Sequence, residues 1–256
     1  MNVSIRFTSF ERQGLFMSIN DFFGIGFFGN YIEEISATAS DAKVRTVWII
    51  GSLLCAVIPY LLGSINFAII ISGKSYNQDI RKFGSKNAGM TNMMRVYGKR
   101  AAALTLLGDA LKAVVAGLLG YAILGQLGAY IAGSACVIGH MFPVFFKFKG
   151  GKGVVTAAIT VLMCNPFVFL ILLILFIVIV ACTKYISLGA VMCMLIYPFL
   201  LNAIDTWLVG GCPYVLFAML TAVLVIYKHK ENIMRLREGK EHKFSFKKSV
   251  SPEDKE

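Results

Sequence analysis

Long apolar runs dominate this sequence, and nothing else in it limits the possible folds so strongly. A helix crossing the hydrocarbon core of a bilayer needs about 20 mostly apolar residues. Val47–Ser72, Ala101–Leu124, Leu127–Phe146, Ser187–Ile204 and Pro213–Tyr227 are candidates for such spans. Between Val154 and Cys182 lies a longer run, interrupted at Asn165–Pro166. One helix there would reach about 43 Å, too long for a core about 30 Å thick. Proline disfavours helical geometry in the residue before it, so the Asn-Pro pair divides the run into two rather short helices. Composition agrees: 57% of the residues are apolar and 15% charged, which is more apolar than soluble domains of this size. The expected class is an all-α polytopic membrane protein.

With the divided run counted as two, the chain has seven transmembrane helices, and its cations fall in alternate connections. Lys74, Arg81, Lys82, Lys86, Arg95, Lys99 and Arg100 follow the first span. Lys147, Lys149 and Lys152 follow the third, Lys184 the fifth, and others follow Lys228. The connections at Gly125–Gln126, Asn165–Pro166 and Asp205–Cys212 hold no Lys or Arg. Basic loops stay in the cytoplasm, which places the N-terminus outside and the C-terminus in the cytoplasm. A six-span chain would put the basic tail outside.

The formal charge is +11, but the cations border apolar segments and do not form a soluble face. That points to anionic lipid or an anionic substrate, and away from nucleic acid. The six cysteines, Cys55, Cys136, Cys164, Cys182, Cys193 and Cys212, lie mostly in apolar runs without a CxxC pair. They read as small core residues; no metal site and no cofactor is expected. No cleavable signal is expected, because no basic region leads into an apolar stretch ending in small residues. Residues 1–45 are aromatic and glycine-rich, broken by Asp21, Glu33 and Glu34. They read as an extension on the outer surface or a leader, not an eighth span. Residues 46–241 form the seven-span domain, and residues 242–256 a basic, polar cytoplasmic tail.

Three polar clusters fall on the cytoplasmic side. In "GSKNAGMTNMMRVYGKR", Gly84 and Gly89 free the backbone, Ser85, Asn87, Thr91 and Asn92 supply neutral donors, and Arg95 adds a planar guanidinium suited to phosphate. In "FKGGKGVVTA", Gly150, Gly151 and Gly153 run into a helix start. Backbone N–H groups there make an anion nest, with Lys152 as a point charge. "GGKG" lacks the spacing of a Walker loop. In "KHKENIMRLREGKE", His229, Asn232 and Arg235 share a helix face. Each cluster alone could be a topology determinant; their convergence on one leaflet favours a phosphate site. Within the spans, Asp109 and Lys112 read as a structural ion pair or a snorkelling lysine. His140 reads equally as packing or as a wall of the same cavity.

Taken together, "GSINFAIIISG", "DIRKFGSKNAGMTNMMRVYGKRAAALTLLGDALKA", "GHMFPVFFKFKGGKGVVTA", "YISLGA" and "KHKENIMRLREGKE" resemble the bacterial acyl-phosphate-dependent glycerol-3-phosphate acyltransferases. The likeness runs from Val47 to Glu241 in order. It implies a multi-pass enzyme of the bacterial inner membrane with its active site facing the cytoplasm. Such an enzyme moves a fatty acyl group from acyl phosphate to the 1-hydroxyl of glycerol 3-phosphate, giving lysophosphatidic acid. By resemblance, Ser85, Asn87, Thr91, Asn92 and Arg95 match the first family motif and Lys152 with its glycines the second. His229 and Asn232 match the third, and Ser187 a serine in "SLG". Two features depart from the pattern: residues 1–45 have no counterpart, and Lys228 stands where arginine is common.

An acyl phosphate is already activated, so the protein needs no covalent nucleophile. It must bring two anions together and stabilise negative charge growing on oxygen. Lys152, Arg95 and His229 are expected to bind phosphate, with Ser85, Asn87, Thr91, Asn92 and Asn232 shaping the pocket. The proton of the attacking hydroxyl goes to a substrate phosphate or to His229, whose unperturbed pKa would suit a base. The acyl chain belongs in an apolar groove open to membrane lipids, and the enzyme reads as a monomer. A transporter is the alternative, although transporters place polar groups at the midplane and carry repeats.

Overall fold

The computed structural model describes residues 25–36, 39–209 and 214–244. Residues 1–24, Cys212 and the tail beyond residue 244 lie outside the described residues. The described chain is helical: α1 (Gly26–Ser36), α2 (Asp41–Ser64), α3 (Phe67–Tyr76), α4 (Met90–Tyr97) and α5 (Lys99–Met141) come first. They are followed by α6 (Val154–Cys164), α7 (Pro166–Thr183), α8 (Ile186–Val209), α9 (Val215–Lys228) and α10 (Lys230–Arg237).

One of the expected spans has a different form, and one expected reversal falls within a single helical run. The run read as Val47–Ser72 starts earlier and is broken between α2 and α3. The break lies at Ile65–Asn66, where the Asn66 side chain caps α3 by accepting from the Ile69 N–H at 3.1 Å. The long α5 reverses at Leu124–Gly125, where Gly125 takes φ +54. Its two arms pack so closely that a Cβ on Gly120 would collide with the Gly128 carbonyl, and the reverse holds for Gly128. The Asn165–Pro166 division falls where expected. Asn165 accepts from the Val168 N–H at 3.1 Å, and Pro166 starts α7, a position where its missing N–H costs nothing.

These reversals sort the connections to two ends of the bundle. At one end, Tyr121 donates to Met163 O at 2.6 Å and Asn165 to Asp205 at 3.0 Å. There α1 packs against the α5 turn, Gly26 being too close to Tyr121, Ile123 and Gly125 to admit a side chain. At the other end, Lys228 Nζ donates to Met141 O at 3.1 Å, joining α9 to α5. The core between them includes Tyr130, Val137, Val161, Leu201 and Val225.

Outside that core the surface is apolar. Phe167, Ile174, Phe199 and Leu216 are more than half exposed, on helices that in water would leave large hydrophobic patches. Among the described residues, Asp41–Tyr76, Lys99–Phe146, Pro166–Thr183 and Ile186–Trp207 are long and apolar enough to cross a membrane. Val154–Cys164 and Val215–Lys228 are shorter apolar helices.

The close crossing of the α5 arms gives a direct check. Gly120→Val and Gly128→Val should abolish the monodisperse peak in detergent, since each side chain would meet backbone that cannot move aside. Gly73→Ala, with nothing within 4 Å of the new methyl, should leave yield and melting temperature unchanged.

Candidate functional site

The opening loop is held by buried amides. Asn66 Nδ2 donates to Ala88 O at 3.4 Å, and the Ile80 N–H donates to Ser72 Oγ at 3.2 Å. Asn92, fully buried on α4, accepts from the Ser85 N–H at 2.9 Å and donates to the carbonyls of Phe83 (3.0 Å) and Asn87 (3.1 Å). Gly84 makes this possible with φ +56, because a Cβ there would collide with the Asn92 oxygen. Asn92 therefore shapes the loop from behind. Arg81 joins this loop to the next: its Nη1 donates to Phe146 O and Lys149 O, both at 3.0 Å, while Asp79 holds its other nitrogens.

In the glycine loop, two N–H groups expected to face an anion are spent inside the fold. Gly150 N–H donates to Met141 O at 3.3 Å and Gly151 N–H to His140 O at 3.1 Å. The open donors belong instead to the first turn of α6, whose leading N–H groups have no partner within the helix. Gly153 starts that helix with φ +75. Lys152 projects beside it.

The tail closes the site from the far side. Glu241 accepts from Ser187 Oγ at 2.7 Å, Asn232 Nδ2 at 2.6 Å and Arg235 Nε at 2.8 Å. Burial alone would raise its pKa, but these hydrogen bonds hold the carboxyl below its ordinary value. Because the Asn232 amide nitrogen faces Glu241, its oxygen faces Lys152 and accepts from the ammonium. Burial, then the nearby Arg235, pulls the Lys152 pKa down to about 8, against the opposing pull of Glu241. Arg95 reaches the same field from α4, its pKa lowered by burial with Glu241 opposing. The His229 ring is buried and its Nδ1 lies 2.8 Å from Val225 O. Burial brings its pKa down to about 4, so the unperturbed value expected for a base does not apply. With Nδ1 donating to Val225, the neutral ring offers Nε2 as an acceptor; protonation is needed before Nε2 can donate to phosphate.

A cavity of about 560 Å³ opens among these loops. Gly84, Ser85, Asn87, Gly150 and Lys152 border it, with Lys228, Lys230 and Arg235 opposite. Asn92, Gly151, Gly153, Ser187, His229 and Asn232 are buried behind it, and Gly89, Thr91 and Arg95 are half-buried on or beside α4. Arg81, Asn66 and Glu241 carried no assigned role in the sequence. Glu241 ends a basic stretch that also holds Glu231 and Glu238, so nothing in the sequence sets it apart. Asp109 and Lys112 form an ion pair at 2.8 Å, both side chains 3% exposed, so the lysine does not snorkel.

The profile of the glycerol-3-phosphate acyltransferase family matches residues 53–239. The chain is 42% identical over 194 residues to the glycerol-3-phosphate acyltransferase of Finegoldia magna, covering 75% of this chain and 95% of that protein. It is 44% identical over 193 residues to that of Syntrophomonas wolfei, covering 75% and 96%. It superposes on the crystal structure of PlsY, an integral membrane glycerol 3-phosphate acyltransferase, in its glycerol 3-phosphate form. That match has a TM-score of 0.68 and 35% identity over 76% of this chain and 96% of that one. The lysophosphatidic acid form of PlsY matches with a TM-score of 0.66 and 33% identity, with the same coverage.

The bridge between the two loops predicts unequal effects of two charge removals. Arg81→Met breaks two hydrogen bonds to the glycine loop and should lower the melting temperature by at least about 3 °C, taking about 1.5 kcal/mol for charged hydrogen bonds and ~2–4 °C per kcal/mol. Lys82→Met, at an exposed neighbour, should shift it by less than about 1 °C. Equal shifts would remove the bridge.

Proposed function

This chain belongs to the glycerol-3-phosphate acyltransferase family, and we propose that it transfers a fatty acyl group from acyl phosphate to the 1-hydroxyl of glycerol 3-phosphate. The products are lysophosphatidic acid and phosphate. The observation that carries this reading is the Lys152 ammonium, tied to Asn232 at the meeting of the glycine loop and the tail. It borders a cavity lined by Ser85, Asn87 and several cations.

The chemistry follows from the donor. The hydroxyl oxygen attacks the acyl carbonyl, the carbon–oxygen bond to phosphate breaks, and phosphate leaves with its electron pair. Negative charge moves to the carbonyl and leaving oxygens, where Lys152, Arg95 and the first-turn N–H groups of α6 stabilise it. Ser85 and Asn87 at the cavity wall orient the substrates. Asn92, Thr91, Ser187 and Asn232 keep the loops in place, with Gly84, Gly89, Gly150, Gly151 and Gly153 admitting the backbone. With a pKa of about 4, His229 is a weak base at neutral pH, which favours a substrate phosphate as proton acceptor. His229 then serves as a phosphate ligand that becomes protonated when an anion binds.

The chain crosses the bacterial inner membrane seven times as a monomer, with its N-terminus outside and the site facing the cytoplasm. Support comes from the one-sided cations, the reversals at Leu124–Gly125 and Asn165–Pro166, and the gathering of all three loops at one end. Cysteine labelling tests this: Ser249→Cys should be protected from impermeant reagent in intact cells. Strong labelling there would reverse the orientation.

Purified protein in detergent, given acyl phosphate and glycerol 3-phosphate, should form lysophosphatidic acid detectable by mass spectrometry. Acyl-CoA alone should not support a comparable rate; if it does, the donor assignment fails. Lys152→Ala should cut kcat/KM at least about tenfold, a loss of about 1.4 kcal/mol, and Arg95→Lys should be poorly tolerated because a point charge cannot replace a planar fork.

The charged lysine is the binding form. As pH rises through about 8, Lys152 loses its proton and kcat/KM for glycerol 3-phosphate should fall. Lys152→Arg should move that alkaline limb beyond pH 10, since arginine stays charged there. A limb unmoved by the substitution would assign the ionisation elsewhere.

A further inference from the structure

Three buried ionisable side chains have no part in the chemistry above. Asp109 and Lys112 lie one turn apart on the first arm of α5 and His140 near the end of the second, each no more than 5% exposed. Charges inside a membrane are costly, and a buried ion pair is weak grounds for stability, since apolar side chains of similar size often do as well. Their contacts suggest a more specific purpose.

Lys112 Nζ donates to Gly63 O at 3.0 Å and Ile65 O at 2.7 Å, carbonyls at the break after α2. It also lies 2.8 Å from Asp109 Oδ1 and 2.9 Å from His140 Nδ1. An ammonium has protons and no lone pair, so Nδ1 is the acceptor and the neutral ring carries its proton on Nε2. That edge faces the glycine loop: a Cβ on Gly151 would collide with His140 Nε2 and lie 2.6 Å from Ala88 O. The Gly151 N–H is also bonded to the His140 carbonyl. Ring and backbone of one histidine therefore bear on the residue before Lys152. Ala88, which meets the same point, is held by Asn66 at the break that Lys112 also grips.

We propose that Asp109, Lys112 and His140 form a positioning relay that sets the glycine loop, and through Gly151 the Lys152 ammonium, for anion binding. None of the three borders the cavity; they act through the loop and touch no substrate. Asp109 balances the Lys112 charge, Lys112 fixes the tautomer, and His140 presents a fixed N–H edge to the loop. The functional consequence rests on the reading of Lys152 as a phosphate ligand.

The test is competitive amine labelling of Lys152 across pH in the intact detergent-solubilised protein, with glycerol 3-phosphate kinetics alongside. Wild-type Lys152 should titrate near 8, set by burial and by Arg235, Glu241, Glu231 and Arg95. In His140→Phe the loosened loop gives Lys152 more water, and its titration should rise by at least about one pH unit. KM for glycerol 3-phosphate should rise about tenfold while kcat stays within about twofold. His140→Gln, whose amide nitrogen reaches the Nε2 position as a donor, should restore both; His140→Asn, too short to do so, should not. If His140→Phe fails to fold, the Gln and Asn variants decide: equal behaviour overturns the relay, and a shift in Asn alone supports it. An unmoved Lys152 titration in folded His140→Phe also overturns it. Labelling needs no turnover, so a wild type that makes no lysophosphatidic acid would sink the proposed reaction while leaving the relay to be judged on its titration.

Discussion

One ammonium group, held partly out of water by a single amide oxygen, organises the polar end of this molecule. Lys152 needs its Asn232 partner, and Asn232 presents its oxygen only because Glu241 takes its amide nitrogen. Glu241 in turn is held by Ser187 and Arg235. Three stretches far apart in sequence, the glycine loop before α6, the start of α8, and α10 with the segment after it, thus converge on one charge. In a low-dielectric setting each partner matters more than it would in water, because an unsatisfied group has no solvent to turn to.

The apolar bundle supplies the rigidity this arrangement requires. The two arms of α5 meet glycine to glycine, which fixes where the arms end and hence where the glycine loop begins. The break after α2 does the same for the opening loop, with Asn66 reaching Ala88. Arg81 then ties the two loops together. The proposed anion site, built this way, is largely formed before any anion arrives, so less binding energy is lost to ordering.

Much of this was legible in the sequence for identifiable reasons. Span lengths follow from bilayer thickness, and Asn165–Pro166 marks a helix boundary because proline constrains its neighbour. The polar loops stood out because glycines, amides and cations are rare between apolar runs. The reversal at Gly125 falls at the expected connection, but the break at Asn66 does not show in the sequence: Val47–Ser72 is predominantly apolar, and hydropathy does not register a capping amide. The role of Glu241 depends on partners up to 54 residues away, and no local pattern reports such a contact. His229 looked like an ordinary histidine, yet burial sets its proton affinity, and burial is a property of the fold.

The central claim is that glycerol 3-phosphate binds beside a lysine that is only partly charged when the site is empty. Calorimetry at pH 8 in buffers of different ionisation enthalpy measures the protons exchanged on binding. The substrate phosphate, with its second pKa near ~6, is already fully ionised at that pH, so any uptake belongs to the protein. A dianion next to Lys152, which titrates at about 8, should raise that pKa and draw in up to about half a proton. Uptake should fall by that share in Lys152→Arg, leaving only the proton that His229 takes. Binding without proton uptake, or uptake unchanged in Lys152→Arg, would contradict the account.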